Sequence, residues 1–214
     1  YEETNDYKIG YLAGMTEGDG TFRWDPLWTD IPFREHPQSY WRVALAENQL
    51  DVLNVISQYL TDLGIVNSIK PFQNSNHKNP KHQRMFKIES RSRHILNKIY
   101  NLLNPELNSS EYKRGWLAGI FDAEGSIGYK ISSNRRLQPL RISNTVLRRL
   151  QKISDFAKEL GFTFQIESFK KSTMSVRLVG DMEERSRFIG IIQPKSSYKR
   201  NHIHHKQWET KPNL

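Results

Sequence analysis

The sequence contains no cysteine, which excludes disulfides, thiolate metal sites and a cysteine nucleophile. That absence fits a reducing, intracellular compartment. No run approaches the ~18 consecutive apolar residues that a membrane span needs, so no membrane partner is expected. The opening residues Tyr1 to Asp6 show no basic stretch followed by an apolar run, so no signal peptide is expected there. Acidic residues are short against basic ones: 23 Asp and Glu face 32 Lys and Arg, a net charge of +9. Such a surplus points to a polyanionic partner, because each Lys or Arg set on a phosphate releases a counterion. What is present is ordinary for a globular protein. The 214 residues are 36% hydrophobic and 26% charged, enough for one large domain or two small ones.

The chain repeats itself. Tyr7 to Phe22 reads YKIGYLAGMTEGDGTF and Tyr112 to Ile127 reads YKRGWLAGIFDAEGSI, with Asp19 matched by Glu124 at an offset of 105. Ser39–Gly64 and Arg136–Gly161 then each give a short alternating run followed by a helix-period segment ending in Leu-Gly. Pro, Asn and Ser at residues 104–110 read as a linker. The expectation is two similar halves, 1–106 and 107–214, each helix, two strands, helix, two strands, helix. In the first half these elements are Tyr7–Gly18, Gly20–Trp28, Tyr40–Glu47, Leu50–Leu63, Val66–Phe72, Met85–Glu89 and Arg93–Leu103. In the second, after the repeated motif, they are Gly125–Ser132, Leu137–Ser143, Val146–Leu160, Thr163–Phe169, Met174–Val179 and Met182–Ile192.

Gly10, Gly14 and Gly18 stand four apart, as do Gly115, Gly119 and Ala123. At 3.6 residues per turn this leaves a stripe without side chains along one face of each helix. Glycine costs a helix roughly 1 kcal/mol against alanine, and close approach of the two stripes supplies the reason for it. Asp19 and Glu124 then fall at the helix C-termini, where the macrodipole is negative. Two acids brought together there repel and raise a pKa unless a cation intervenes. Carboxylates with neighbouring backbone carbonyls and waters suit Mg²⁺.

YLAGMTEGDG and WLAGIFDAEG resemble two copies of the LAGLIDADG motif, and the order of elements is similar to that family's αββαββα half. Over nearly its whole length the chain resembles a single-chain, two-motif LAGLIDADG homing endonuclease. The resemblance implies an α+β fold of two pseudo-symmetric repeats, with motif helices at the centre and two antiparallel sheets forming a saddle over the DNA major groove. It implies a site-specific endonuclease that cuts both strands of a long target and leaves short 3′ overhangs. Mg²⁺ would be the cofactor, with Mn²⁺ able to take its place. Asp19 and Glu124 would be the metal ligands, helped by the carbonyls of Gly18 and Ala123. Glu17 and Asp122, two residues earlier, would cap or buttress the helix interface. The family's polar residue at the end of the second strand falls at Glu47 in one half and Asn144 in the other. Its basic residue near the last helix falls at Arg91 or Arg93 in the first half. In the second half Arg185 and Lys195 compete for that role.

If Phe22, Val43, Leu45, Phe86 and Ile88 face the core, alternation puts Arg23, Arg42, Lys70 and Lys87 on the other sheet face. The second half gives Lys130, Arg141, Gln165 and Arg177 by the same reasoning. Arg and Lys on a sheet in the major groove pair with guanine, and Gln with adenine. The halves differ at nearly every such position, so an asymmetric target is expected, read by a monomer. The tail carries His202, His204 and His205, whose spacing suits phosphate contacts or an unstructured end better than zinc. Two other readings stand beside the nuclease: an RNA-binding maturase for a host intron, and a DNA-binding regulator without catalysis.

Overall fold

The computed structural model describes residues 3–23, 39–72, 84–103, 109–127, 139–168 and 174–204. Lys130, Trp24, Trp28 and Trp208 lie outside them, as do His205 and the linker residues 104–108. The first half runs α1 (Asn5–Gly18), β1 (Gly20–Arg23), β2 (Tyr40–Ala46), α2 (Leu50–Asp62), β3 (Ile69–Phe72), β4 (Met85–Ser90) and α3 (Arg93–Leu103). The second runs α4 (Ser110–Glu124), β5 (Gly125–Ile127), β6 (Leu140–Asn144), α5 (Leu147–Glu159), β7 (Phe164–Ser168), β8 (Met174–Leu178) and α6 (Met182–Ile192). An additional helix follows, α7 (Ser197–His204), in the basic tail, where no helix is expected from the sequence. Both sheets are antiparallel and four-stranded, ordered β1-β2-β4-β3 and β5-β6-β8-β7. The architecture is therefore the α+β pair of αββαββα units expected from the repeat. Among the described residues, no helix is long and apolar enough to cross a membrane.

Each element follows from local chemistry. Thr4 and Ser109 cap α1 and α4, their side-chain oxygens accepting from the N–H groups of Tyr7 and Tyr112. Gly64 and Gly161 follow α2 and α5 with φ of 72° and 81°, a left-handed conformation that favours glycine and stops each helix. β2 alternates with Trp41, Val43 and Leu45 buried, and β6 does so with Leu140, Ile142 and Asn144. The expected strand Val66–Phe72 is shorter, beginning at Ile69, and Val66 is exposed.

α1 and α4 differ from the amphipathic helices around them because they are buried on nearly all sides. Residues 10–16 of α1 and 112–122 of α4 are buried without a break, as befits helices at the centre of a protein. Their glycines explain the closeness. A Cβ on Gly10 would lie 2.9 Å from the Trp116 nitrogen, and one on Gly14 would lie 2.7 Å from the Ile120 nitrogen. Reciprocally, a Cβ on Gly115 would meet the Tyr11 nitrogen at 3.0 Å, and one on Gly119 the Met15 nitrogen at 2.8 Å. The matching pairs lie at the 105-residue offset, so the helices run parallel about a pseudo-twofold axis. Both C-termini therefore reach the same place.

Candidate catalytic centre and nucleic-acid interface

Asp19 is the C-cap of α1, its N–H bonded to the Met15 carbonyl at 3.0 Å. Gly20 starts β1 immediately, and only a glycine fits, since a Cβ there would lie 2.5 Å from the Thr16 Cα. Glu124 is the last residue of α4, and Gly125 starts β5 beside the Phe121 carbonyl in the same manner. A Cβ on Gly18 would fall against the Ala123 side chain and 3.4 Å from the Glu124 Cγ. The helix ends thus meet, and the two acids meet with them.

The electrostatics are those of an unbalanced anionic site. Burial, and then the charge of Glu124, push the Asp19 carboxyl up to about 6, while Lys199 pulls it down. The parallel macrodipoles add a second negative contribution at the same end. Lys199, on α7, is the local counterweight. Its Nζ donates to the carbonyls of Phe121 at 2.8 Å, Asp122 at 2.6 Å and Ala123 at 3.5 Å, at the end of the helix, where the Phe121 oxygen also accepts the Gly125 N–H. Burial lowers the Lys199 pKa, and Asp122, Asp19 and Glu124 oppose that. The two carboxylates are hard oxygen donors of the kind that a divalent cation takes, and the carbonyls of Gly18 and Ala123 are the neighbouring oxygens that could join them. Among the described residues no group of three His, Cys, Asp or Glu converges on a metal site. Waters would therefore have to complete the shell, as Mg²⁺ readily allows.

The neighbouring acids take the buttressing part. Glu17 accepts from Trp116 Nε1 at 3.0 Å and Lys152 Nζ at 2.7 Å. Asp122, at the equivalent position, accepts from the Tyr11 hydroxyl at 2.7 Å and from the N–H groups of Lys195 and Ser196. Each acid thus takes the donor of an aromatic ring on the opposite motif helix. Burial raises the Asp122 pKa despite these hydrogen bonds.

The other expected site residues are placed differently. Lys195 sends its ammonium to Glu3 and over the Tyr7 ring. Lys199, four residues on, is the lysine whose charge reaches Asp19 and Glu124. The sequence reading missed it because α7 was not anticipated, although one helical turn from Lys195 was the place to look. Asn144 is buried and its Oδ1 accepts the Val146 N–H at 2.9 Å, so it helps begin α5. Glu47 opens a short 3₁₀ turn (Glu47–Gln49) with its side chain exposed, its N–H bonded to the Arg84 carbonyl. Arg93 opens α3.

The sheet faces carry the expected polar residues. Arg42 pairs in register with Thr21 and Glu89, and Lys70 with Lys87, which puts Arg23, Arg42, Lys70 and Lys87 on one face. In the second sheet Arg141, Arg177 and Gln165 stand in one row across β6, β8 and β7. Aromatic rings interleave with the charges: Arg42 lies 4.7 Å from the Tyr40 ring centroid and 5.0 Å from that of Phe72. Two acids that the alternation argument passed over share these faces. Glu89 pairs with Arg42, Lys87 and Arg91, and Glu167 pairs with Arg141 and Arg177.

A family model for the LAGLIDADG-like domain matches residues 111–193. A sequence search of curated proteins found no match. Among solved structures, the I-DmoI complex with DNA and Ca is 18% identical, covering 95% of this chain and 100% of that one with a TM-score of 0.64. The complex of I-DmoI with DNA and Mn is 15% identical over 88% of this chain and 97% of that one, TM-score 0.58. The N-terminal LAGLIDADG domain of DUF199/WhiA is 13% identical over 94% of this chain and 88% of that one, TM-score 0.59. With a LAGLIDADG-like domain matched in its second half and the same architecture in its first, the chain is a two-repeat protein of LAGLIDADG fold.

Proposed function

We propose that the protein is a monomeric, site-specific endonuclease that hydrolyses phosphodiesters in both strands of a long asymmetric DNA target and leaves short 3′ overhangs. The observation that carries this reading is the meeting of Asp19 and Glu124 at two parallel helix ends, with the Asp19 carboxyl raised to about 6. A DNA-binding scaffold gains nothing from that repulsion, and a cation between the acids removes it. Asp19, Glu124 and the carbonyls of Gly18 and Ala123 would hold Mg²⁺, or Mn²⁺ in its place. A divalent ion held by these groups would supply Lewis acidity toward a water and the scissile phosphate.

The chain's own residues supply the rest. The glycine stripes bring two acids to one point, so that each faces one DNA strand. Lys199 cancels part of the α4 dipole and limits the repulsion between the carboxylates. Glu17 and Asp122 hold the motif helices in register through Trp116 and Tyr11. The residues of the two outer sheet faces would lie in the major groove and select the target, 1–106 reading one half and 107–214 the other. The solved I-DmoI complexes with DNA support this partner, and a DNA-binding regulator without catalysis is the second reading, since the basic sheet faces would serve it without the paired acids. Host intron RNA is a further candidate partner, but RNA binding does not call for paired acids.

Selection of cleaved sites from a randomised duplex library, with Mg²⁺ against an EDTA control, tests the proposal. One long, asymmetric consensus recovered only with metal is expected. Binding without cleavage moves the assignment to the regulator, or to the maturase if structured RNA competes.

A further inference from the structure

The acids on the outer sheet faces are the least expected feature of a surface built to meet phosphates. In the first sheet, Glu89 Oε2 accepts from Arg42 Nε at 2.6 Å, and it lies 2.5 Å from an Arg42 terminal nitrogen and 3.2 Å from Lys87 Nζ. Its Oε1 accepts from Arg91 Nε at 3.1 Å. In the second sheet, Glu167 Oε2 accepts from Arg141 Nε at 3.0 Å and its Oε1 from Arg177 Nε at 2.6 Å. Arg177 also donates to the Gln165 side-chain Oε1 at 2.8 Å.

The two networks are wired from different strands to the same arginine. Val43 pairs with Gly20 as Ile142 pairs with Gly125, so Arg42 and Arg141 occupy equivalent places. Glu89, the neighbour of Arg42 on β4, corresponds to Arg177 on β8. Glu167 on β7 instead corresponds to Lys70 on β3. Both sheets nonetheless end with a carboxylate on the Nε edge of the central arginine. A face that only attracted phosphates would gain from every added cation and lose from every acid. An acid here serves direction: a guanidinium held along its Nε edge has a fixed plane, and a fixed plane is what bidentate recognition of guanine O6 and N7 requires.

We propose that Glu89 and Glu167 are positioning residues for base readout, each orienting the central arginine of its sheet and setting, through it, the base preference at one place in its half of the target. The inference rests on the DNA-reading assignment above and adds residues and a selection rule to it.

The test is binding to a randomised duplex library with Ca²⁺ in place of Mg²⁺, using wild type, E89Q, E167Q, R42Q and the double variant R42Q/E89Q. E89Q is expected to lose about tenfold of the discrimination at one base pair in one half of the consensus, the scale of a lost bidentate contact. Its affinity for random duplex should hold or rise, because one negative charge has gone, and that also shows the protein is folded. E167Q should do the same in the other half. R42Q should lose preference at the position that E89Q affects, and R42Q/E89Q should lose no more there than R42Q alone. A wild-type consensus that survives E89Q and E167Q unchanged, a loss spread evenly along the site, or additive effects in the double variant would overturn the proposal alone. A wild-type protein with no base preference removes the DNA-reading premise, and the proposal with it.

Discussion

Replacing Gly14 and Gly190 by alanine should move stability in opposite directions. In an isolated helix, Gly→Ala gains up to about 1 kcal/mol at either position. Gly190 lies in α6, where an added Cβ would meet nothing within 4 Å, so G190A should show most of that gain. At Gly14 the same methyl group would stand 2.7 Å from the Ile120 nitrogen and closer still to the Trp116 carbonyl oxygen. Both are backbone atoms of a helix buried on all sides, with no rotamer through which to yield. Reaching the 3.4 Å of ordinary contact with the nearer of these atoms requires α1 and α4 to part by more than about 1 Å. Overpacking of this kind costs about 1–3 kcal/mol, and two backbone atoms in the way put G14A toward the upper end, so after the propensity gain it should lose up to about 2 kcal/mol. The helix ends would part as well, so metal-dependent cleavage should fall more than stability alone explains. Urea unfolding of wild type, G14A and G190A, with midpoints compared at equal m-values, measures the difference. A G14A protein as stable as G190A would refute the close packing from which the site is built.

Metal-free stability should depend on Asp19. A carboxyl raised to about 6 by burial and Glu124 binds its proton more tightly in the folded state. That contribution is fully present below the unfolded value and is lost as pH rises through about 6. In EDTA the wild type should therefore fall behind D19N between about pH 4 and pH 7 in urea titrations, and the opposite slope would contradict the assignment. K199M keeps the length of the side chain but removes the donor to three α4 carbonyls. It should cost about 1–3 kcal/mol by denaturant unfolding. It should also raise the Asp19 pKa further, read by carboxyl NMR, because Lys199 is the group pulling it down.

The duplicated motif made much of this legible from residues alone. Periodic glycine on a segment that also carries Leu12, Ala13 and Met15 pointed to a helix packed backbone to backbone rather than to a glycine-rich loop. Strand alternation placed Arg42 and Lys87 outward because Val43, Leu45, Phe86 and Ile88 were read as facing the core. Three things escaped. Lys199 depends on where α7 docks, through Asp122 and the N–H groups of Lys195 and Ser196, and such long-range contacts leave no local pattern. Asn144 does end its strand, but that its side chain is buried and accepts the Val146 N–H was not legible from the sequence. Glu89 and Glu167 were passed over because alternation fixes a face and says nothing about which charges on it neutralise one another.

The measurement that bears most directly on the central claim is strand-resolved nicking of the selected duplex by wild type, D19N and E124Q, with Mg²⁺ present. If each helix-end acid serves one phosphodiester and both share in holding metal, wild type cuts both strands, each variant loses at least one cut, and binding persists in all three. Cleavage of both strands at the wild-type rate by D19N and E124Q would show that the meeting of these acids is not the catalytic centre.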